Sequence, residues 1–199
     1  MKRRKVIITV FSIFFILIML LVLFNKISFF DNFVYNFLIS KRNKFLDNYF
    51  LFFTKFGNVS VAVVLVILLM ILFHNRYSLF FLFGSLGCVL INTIFKYIIK
   101  RDRPNILRLI KQDGYSFPSG HAMISVTLYG FLLYIVLTKV KNKYLKMIMT
   151  FLLILIILSI GISRIYLGVH YASDVVAGYI LSLIYVIILI QVDLNIGGE

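Results

Sequence analysis

Gly161-Ile-Ser-Arg-Ile-Tyr-Leu-Gly-Val-His-Tyr-Ala-Ser-Asp174 joins two long apolar runs, residues 147–162 and 173–192. Arg164, His170 and Asp174 are costly neighbours for lipid: a charged side chain at the bilayer centre costs roughly 2.5–3.5 kcal/mol on insertion scales. Such a cluster implies membrane helices closing around a polar function. The residue types suggest one: Arg164 holds an anion, His170 attacks it, and Asp174 orients the histidine.

The rest of the chain agrees with a membrane setting. Of its 199 residues 62% are hydrophobic, and the mean hydropathy is +1.03. An average soluble domain is roughly 45–50% apolar. The chain therefore reads as one all-α, polytopic membrane domain, residues 1–199, with its core shared between helix packing and lipid. The net charge of +14 points to anionic lipid headgroups and loop orientation. It does not point to nucleic acid, because the basic residues lie mostly in short loops between spans. The single cysteine, Cys88, lies in an apolar run and has no partner in the chain for a disulfide, so it reads as a small buried apolar residue.

Six spans are expected. A basic start, Met1-Lys-Arg-Arg-Lys5, precedes the run 6–24, too long for a signal peptide and read as a retained anchor. Residues 29–56 have helical apolar spacing at Phe30, Phe33, Val34, Phe37 and Leu38, with Asp31, Asn32, Asn36 and Ser40 on other faces, until Lys41, Arg42 and Lys44 break it. They read as an interfacial amphipathic helix that covers the bundle, with lipid admission as a less favoured role. The later spans are 57–73, 77–95, 119–138, 147–162 and 173–192. His74-Asn75-Arg76 forms a turn, and His74 receives no role. Six crossings put both termini on one side and the loops 96–118 and 164–172 together on the other. Lys and Arg are slightly more numerous on the loop side, but several of them belong to a site and the first helix often dominates topology. The expected orientation is therefore cytoplasmic termini and an extracytoplasmic site, in the cell membrane.

Two further motifs fall on that loop side. Lys96-Tyr-Ile-Ile-Lys-Arg-Asp-Arg103-Pro104 spaces two cations by seven residues, nearly two turns, so both point one way if the third span continues that far. Pro104 should end the helix. Taken alone, the pair reads mostly as side chains snorkelling to the interface. Ser116-Phe-Pro-Ser-Gly-His121 opens the fourth span: Ser119 can cap it, Gly120 lets a ligand approach the backbone, and unpaired amides at a helix start suit an anion. His121 would stand beside that anion, though a capped helix with an interfacial histidine is as good a reading. His170 and Asp174, four apart, share a face if the sixth helix has begun by His170.

Together the motifs resemble the signature of the type-2 phosphatidic acid phosphatase family: lysine, six residues, Arg-Pro; Pro-Ser-Gly-His; then Ser-Arg, five residues, His, three residues, Asp. Here these are Lys96 to Arg103-Pro104, Pro118 to His121, and Ser163-Arg164, His170 and Asp174, with no signature position missing. The six-span plan also resembles the small bacterial members. The resemblance implies hydrolysis of a lipid phosphate or diphosphate without metal or other cofactor. Lys96, Arg103 and Arg164 would clamp the phosphoryl oxygens with the Ser119 hydroxyl and the Gly120 amide. His170 would become phosphohistidine, assisted by Asp174, and His121 would protonate the leaving oxygen and then activate water. Phosphatidylglycerophosphate, phosphatidic acid and undecaprenyl pyrophosphate are all candidate substrates, and membrane lipids the only other expected partners. Nothing in the sequence sets an oligomeric state.

Two other function classes compete. His121, His170 and Asp174 could ligate a metal in a metal-dependent hydrolase, although three nearby cations weigh against a divalent ion. A lipid-binding or flipping protein without chemistry is the other.

Overall fold

The computed structural model describes residues 2–72, 76–106 and 108–196, and these are helical with no strand among them. The expected turn at His74 and Asn75 lies outside the described residues. The helices are α1 (Lys2–Leu23), α2 (Ser28–Ser40), α3 (Lys44–Phe53), α4 (Val59–Leu72), α5 (Arg76–Ile99), α6 (Gly120–Ser125), α7 (Phe131–Lys139), α8 (Lys143–Tyr166) and α9 (Ala172–Ile196). A π-helical turn, Val126–Gly130, joins α6 and α7 into one span, Gly120–Lys139. Among the described residues, five spans are long and apolar enough to cross a membrane on their own. Ile13, Phe14, Phe83, Met147 and Phe151 are among the many large apolar side chains left facing outward, as expected where lipid is the solvent.

The expected span 57–73 does not stand alone. Helix α4 has 14 residues, about 21 Å at 1.5 Å per residue, against a hydrocarbon core of about 30 Å. With residues Lys44–Gly57, from which it is bent by 57°, it has the form of a broken span or a re-entrant loop, and the pair counts as a sixth crossing when taken as one span. The region 29–56 is two helices and a short 3-10 turn, parted at the basic residues where the sequence places the break. Lys41-Arg42-Asn43 interrupts it, and the Asn43 side chain accepts from the Leu46 amide at 3.0 Å to start α3. Helix α2 is also oriented unexpectedly. Phe29, Phe33 and Phe37 face outward while Asp31 is buried. In a bilayer the apolar stripe can be satisfied by lipid, so the carboxylate turns toward its cationic partner.

Span Gly120–Lys139 is the pillar of the bundle: 61% of its apolar window is buried, against 11% for the first span. Helix α9 lies directly against its start. A Cβ at Gly178 would stand 2.9 Å from the Ser119 carbonyl oxygen, so a larger residue there pries the two helices apart. Ion pairing marks the opposite end of the bundle. Arg76 Nε lies 2.8 Å from Asp193 Oδ1, and Tyr134 Oη donates to Asp193 Oδ2 at 2.8 Å. The ends of α5, α7 and α9 are thereby tied together far from the three motifs, which gather at the other end.

Candidate functional site

Helix α5 stops at Ile99, earlier than Pro104 required, and Lys100 takes a left-handed conformation with φ 49°. Arg103 therefore does not share a helix face with Lys96; it reaches the same place through the loop. Lys96 Nζ donates to the Tyr115 carbonyl. Arg103 donates through Nε and Nη2 to the carbonyls of Asp113, Gly114 and Tyr115 at 2.9–3.3 Å, and through Nη1 to Val169 O at 2.7 Å. The guanidinium pins two loops to each other.

The sixth helix has not begun at His170 either. Helix α8 runs past its expected end to Tyr166, placing Arg164 in its last turn, and α9 starts at Ala172. Between them Gly168, with φ 75°, reverses the chain, and the amides of Val169 and His170 both donate to the Arg164 carbonyl at 3.1 Å. Asp174 sits in the first turn of α9 and accepts from the Tyr171 amide at 2.9 Å. The loop, not a shared helix face, brings histidine and aspartate together.

His170 is 3% exposed. Arg103 Nη1 donates to its Nε2 at 3.1 Å. Arginine has no acceptor, so Nε2 offers its lone pair and the neutral ring carries its proton on Nδ1. That nitrogen faces the Ser116 hydroxyl at 3.3 Å and Asp174 Oδ2 at 3.5 Å. The aspartate contact is long for a hydrogen bond; Ser116, which itself donates to Asp174 Oδ2, shares the contact. Burial pushes the imidazole down to about 3; Asp174 opposes this, and Arg164 and Arg103 reinforce it. His170 is uncharged at neutral pH.

The other sequence-assigned residues divide into two layers. Lys96, Arg103, Gly120, His121 and His170 line one cleft of about 680 Å³, whose remaining wall is mostly apolar and comes from α4 and α5, including Val63, Ile67, Met70, Leu86 and Leu90. Ser119, Arg164 and Asp174 are buried behind that lining. Ser119 stands before α6 but makes no capping bond; its hydroxyl has no partner among the described residues, while its amide donates to the Asp174 carbonyl at 3.0 Å. Among the described residues, no three His, Cys, Asp or Glu side chains are grouped as a metal site would require, so His121, His170 and Asp174 do not form the alternative ligand set.

Several partners escaped the sequence reading. Arg164 donates to Thr54 Oγ1 at 2.5 Å and Gln112 Oε1 at 2.8 Å. His121 Nε2 meets Asn58 Oδ1 at 2.8 Å. Arg101 joins two buried carboxylates, Asp174 at 2.6 Å and Asp31 at 2.7 Å, with its guanidinium 3.9 Å above the Tyr171 ring. Burial works against the charge of Arg101, but Asp174 and Asp31 together outweigh it and raise its ionisation above the ordinary guanidinium value. Asp31 also accepts from the Ser173 amide at 2.8 Å, closing the start of α9. Removing one member of a buried pair typically costs about 3–5 kcal/mol. Asp31→Ala is therefore expected to lower the melting temperature in detergent clearly, and Asp31→Asn to restore part of it by still accepting from Ser173. An unchanged melting temperature for Asp31→Ala would refute the anchoring role of α2.

The model of the PAP2 superfamily matches residues 77–197. Phosphatidylglycerophosphatase B of Bacillus subtilis (strain 168) is 36% identical over 97 residues, 48% of this chain and 47% of that protein. The undecaprenyl-diphosphatase of Sulfolobus acidocaldarius is 30% identical over 144 residues, 69% of this chain and 66% of that protein. The matched stretch thus spans about half the length of the first relative and just under two thirds of the second. The crystal structure of a transmembrane PAP2-type phosphatidylglycerolphosphate phosphatase from Bacillus subtilis superposes with a TM-score of 0.86 at 25% identity, covering 95% of this chain and 96% of that one. That of Aquifex aeolicus LpxE superposes with a TM-score of 0.64 at 25% identity, covering 79% and 92%.

Proposed function

The chain belongs to the PAP2 superfamily, and from that membership we propose that it hydrolyses the terminal phosphate of a membrane lipid phosphate or diphosphate, through a phosphohistidine on His170 and without a metal. The observation that carries this reading is the His170 Nε2 lone pair, held at the cationic end of a cleft whose other walls are apolar. A phosphate-bearing headgroup matches one end and an acyl or prenyl chain the other. The Bacillus and Sulfolobus relatives are named for phosphatidylglycerophosphate and undecaprenyl diphosphate, which makes these two lipids, with phosphatidic acid, the substrates to test.

In this mechanism Lys96, Arg103 and the Gly120 amide draw the phosphoryl oxygens to the inner end of the cleft, with Arg164 and the Ser119 hydroxyl contributing from behind. Fixed donors of this kind often make the largest contribution to catalysis. Nε2 of His170 forms a bond to phosphorus as the bond to the leaving oxygen breaks, and His121 supplies that oxygen with a proton. Asp174 and Ser116 hold the Nδ1 proton, stabilising the ring as it becomes cationic. His121 then takes a proton from water, hydroxide attacks phosphorus, and inorganic phosphate leaves with His170 restored. Substrate chains would lie along α4 and α5. Both termini are assigned to the cytoplasm and the site to the extracytoplasmic face, on the strength of the basic residues that open α1.

The test is phosphate release from phosphatidylglycerophosphate, phosphatidic acid and undecaprenyl pyrophosphate in mixed micelles, with His170→Ala as the blank. At least one lipid should be turned over, at a rate unchanged by excess chelator. Loss of all activity in chelator, restored by added metal, would overturn the mechanism.

A further inference from the structure

Residues 57 and 58 form the hinge between the two halves of the bent crossing, and both bear on His121. A Cβ at Gly57 would stand 2.9 Å from His121 Cδ2 and 2.8 Å from Ile160 Cγ2. The glycine therefore lets the backbone lie flat against one edge of the ring. From the same edge Nε2 meets Asn58 Oδ1 at 2.8 Å. The opposite edge carries Nδ1, which has no hydrogen-bond partner among the described residues, and His121 lines the cleft. The ring is thus held on one side and left free to react on the other.

We propose that Asn58 is the positioning residue for His121, and that it equips the site for lipid phosphomonoesters, whose alkoxide leaving group requires a proton. This rests on the phosphatase reading above. The carboxamide oxygen accepts the Nε2 proton whether the ring is neutral or charged, so only Nδ1 gains or loses a proton. In the first step the charged ring gives its Nδ1 proton to the leaving oxygen as the oxygen–phosphorus bond breaks, and is left neutral with Nε2–H still bound to Asn58. In the second step the same Nδ1 takes a proton from water as hydroxide attacks the phosphohistidine. A diphosphate substrate expels a phosphate, which leaves readily without that proton. Removing Asn58 takes away the acceptor that stabilises the charged ring and fixes its orientation, so less of it stands charged with Nδ1–H aimed at the leaving oxygen. Correctly placed acid catalysis contributes roughly 10²–10⁴-fold, and an untethered ring forfeits part of it.

The experiment compares wild type, Asn58→Leu and Asn58→Asp on a phosphomonoester lipid and a diphosphate lipid, alongside His121→Ala. Asn58→Leu should lower kcat on the monoester about 100-fold and on the diphosphate less than about tenfold, with KM little changed on either. This is the pattern expected of His121→Ala in milder form. Asn58→Asp retains an acceptor toward Nε2 and should keep most of the monoester rate. Nitrogen-15 spectra of histidine-labelled protein give a readout independent of turnover: neutral His121 should be protonated on Nε2 in wild type and should become a tautomer mixture in Asn58→Leu. Equal losses on both substrates, or a wild-type ring protonated on Nδ1, would overturn the inference. Wild type inactive on every lipid phosphate, with the Nε2 tautomer still seen, would overturn the phosphatase reading instead, and the monoester assignment with it.

Discussion

His170→Ala is expected to release no lipid phosphate above background, a loss of roughly 10⁴-fold or more, the scale seen when a covalent nucleophile is removed from an otherwise intact site. The magnitude follows from the geometry. Within the cleft, His170 is the base that Arg103 touches, with Nη1 3.1 Å from Nε2. The other histidine there, His121, is tied to Asn58 through Nε2, and in the proposed mechanism its remaining nitrogen serves as acid and base, not as nucleophile. Folding should survive, because the loop around residue 170 is held by main-chain bonds to Arg164 and by Arg103 on Val169. Expression and elution in detergent should therefore match wild type, while the acid-labile phosphoprotein formed by wild type with radiolabelled lipid disappears. A variant that still turns over substrate at a tenth of the wild-type rate would remove His170 from the nucleophilic role.

The same residue carries a pH signature. Its ionisation lies at about 3 in the folded chain, against about 6.5 for an unperturbed histidine. Between those values the unfolded chain binds a proton that the folded one refuses, so stability falls as pH drops. The contribution is complete above pH 6.5 and drains away as pH falls toward 3. His170→Asn, which cannot titrate, should flatten the acid side of a plot of melting temperature against pH. Parallel curves for the two proteins would contradict an uncharged, buried His170.

What could be read from the chain, and what could not, divides by sequence distance. Lys96, Gly120, His121, Arg164, His170 and Asp174 lie in short motifs whose spacing is visible in any window, and apolar runs locate most of the spans. The partners that hold these residues in place are remote: Thr54 is 110 positions from Arg164, Asn58 63 from His121, and Gln112 52 from Arg164. Each is a common polar residue with no local pattern around it. Asp31 was misread for a different reason. Helical periodicity identifies a polar and an apolar face without saying which solvent each meets, and in a bilayer the phenylalanines of α2 can face out. The ends of α5 and α8 were displaced because a left-handed Lys100 and a reversal at Gly168 decide them, and neither conformation follows from hydropathy.

The second large effect concerns Arg164, and here stability and activity should move apart. The side chain is completely buried. Its Nη1 and Nη2 donate to two neutral oxygens, those of Thr54 and Gln112, and its Nε has no acceptor. Among the described residues no carboxylate pairs with it. A buried cation without a countercharge weakens a fold, so its retention needs another reason, and an anionic phosphoryl group at the adjacent cleft supplies one. Arg164→Met, close in volume and uncharged, should leave the melting temperature unchanged or raise it while lowering kcat/KM roughly 10²–10³-fold, as removal of a preorganised charge does. Inorganic phosphate should raise the melting temperature of wild type by mass action and leave that of Arg164→Met nearly unmoved. Should the variant instead lose stability and activity together and still respond to phosphate, Arg164 would be a structural tie between α8, Thr54 and Gln112, and the anion would have to be held by Lys96 and Arg103 without it.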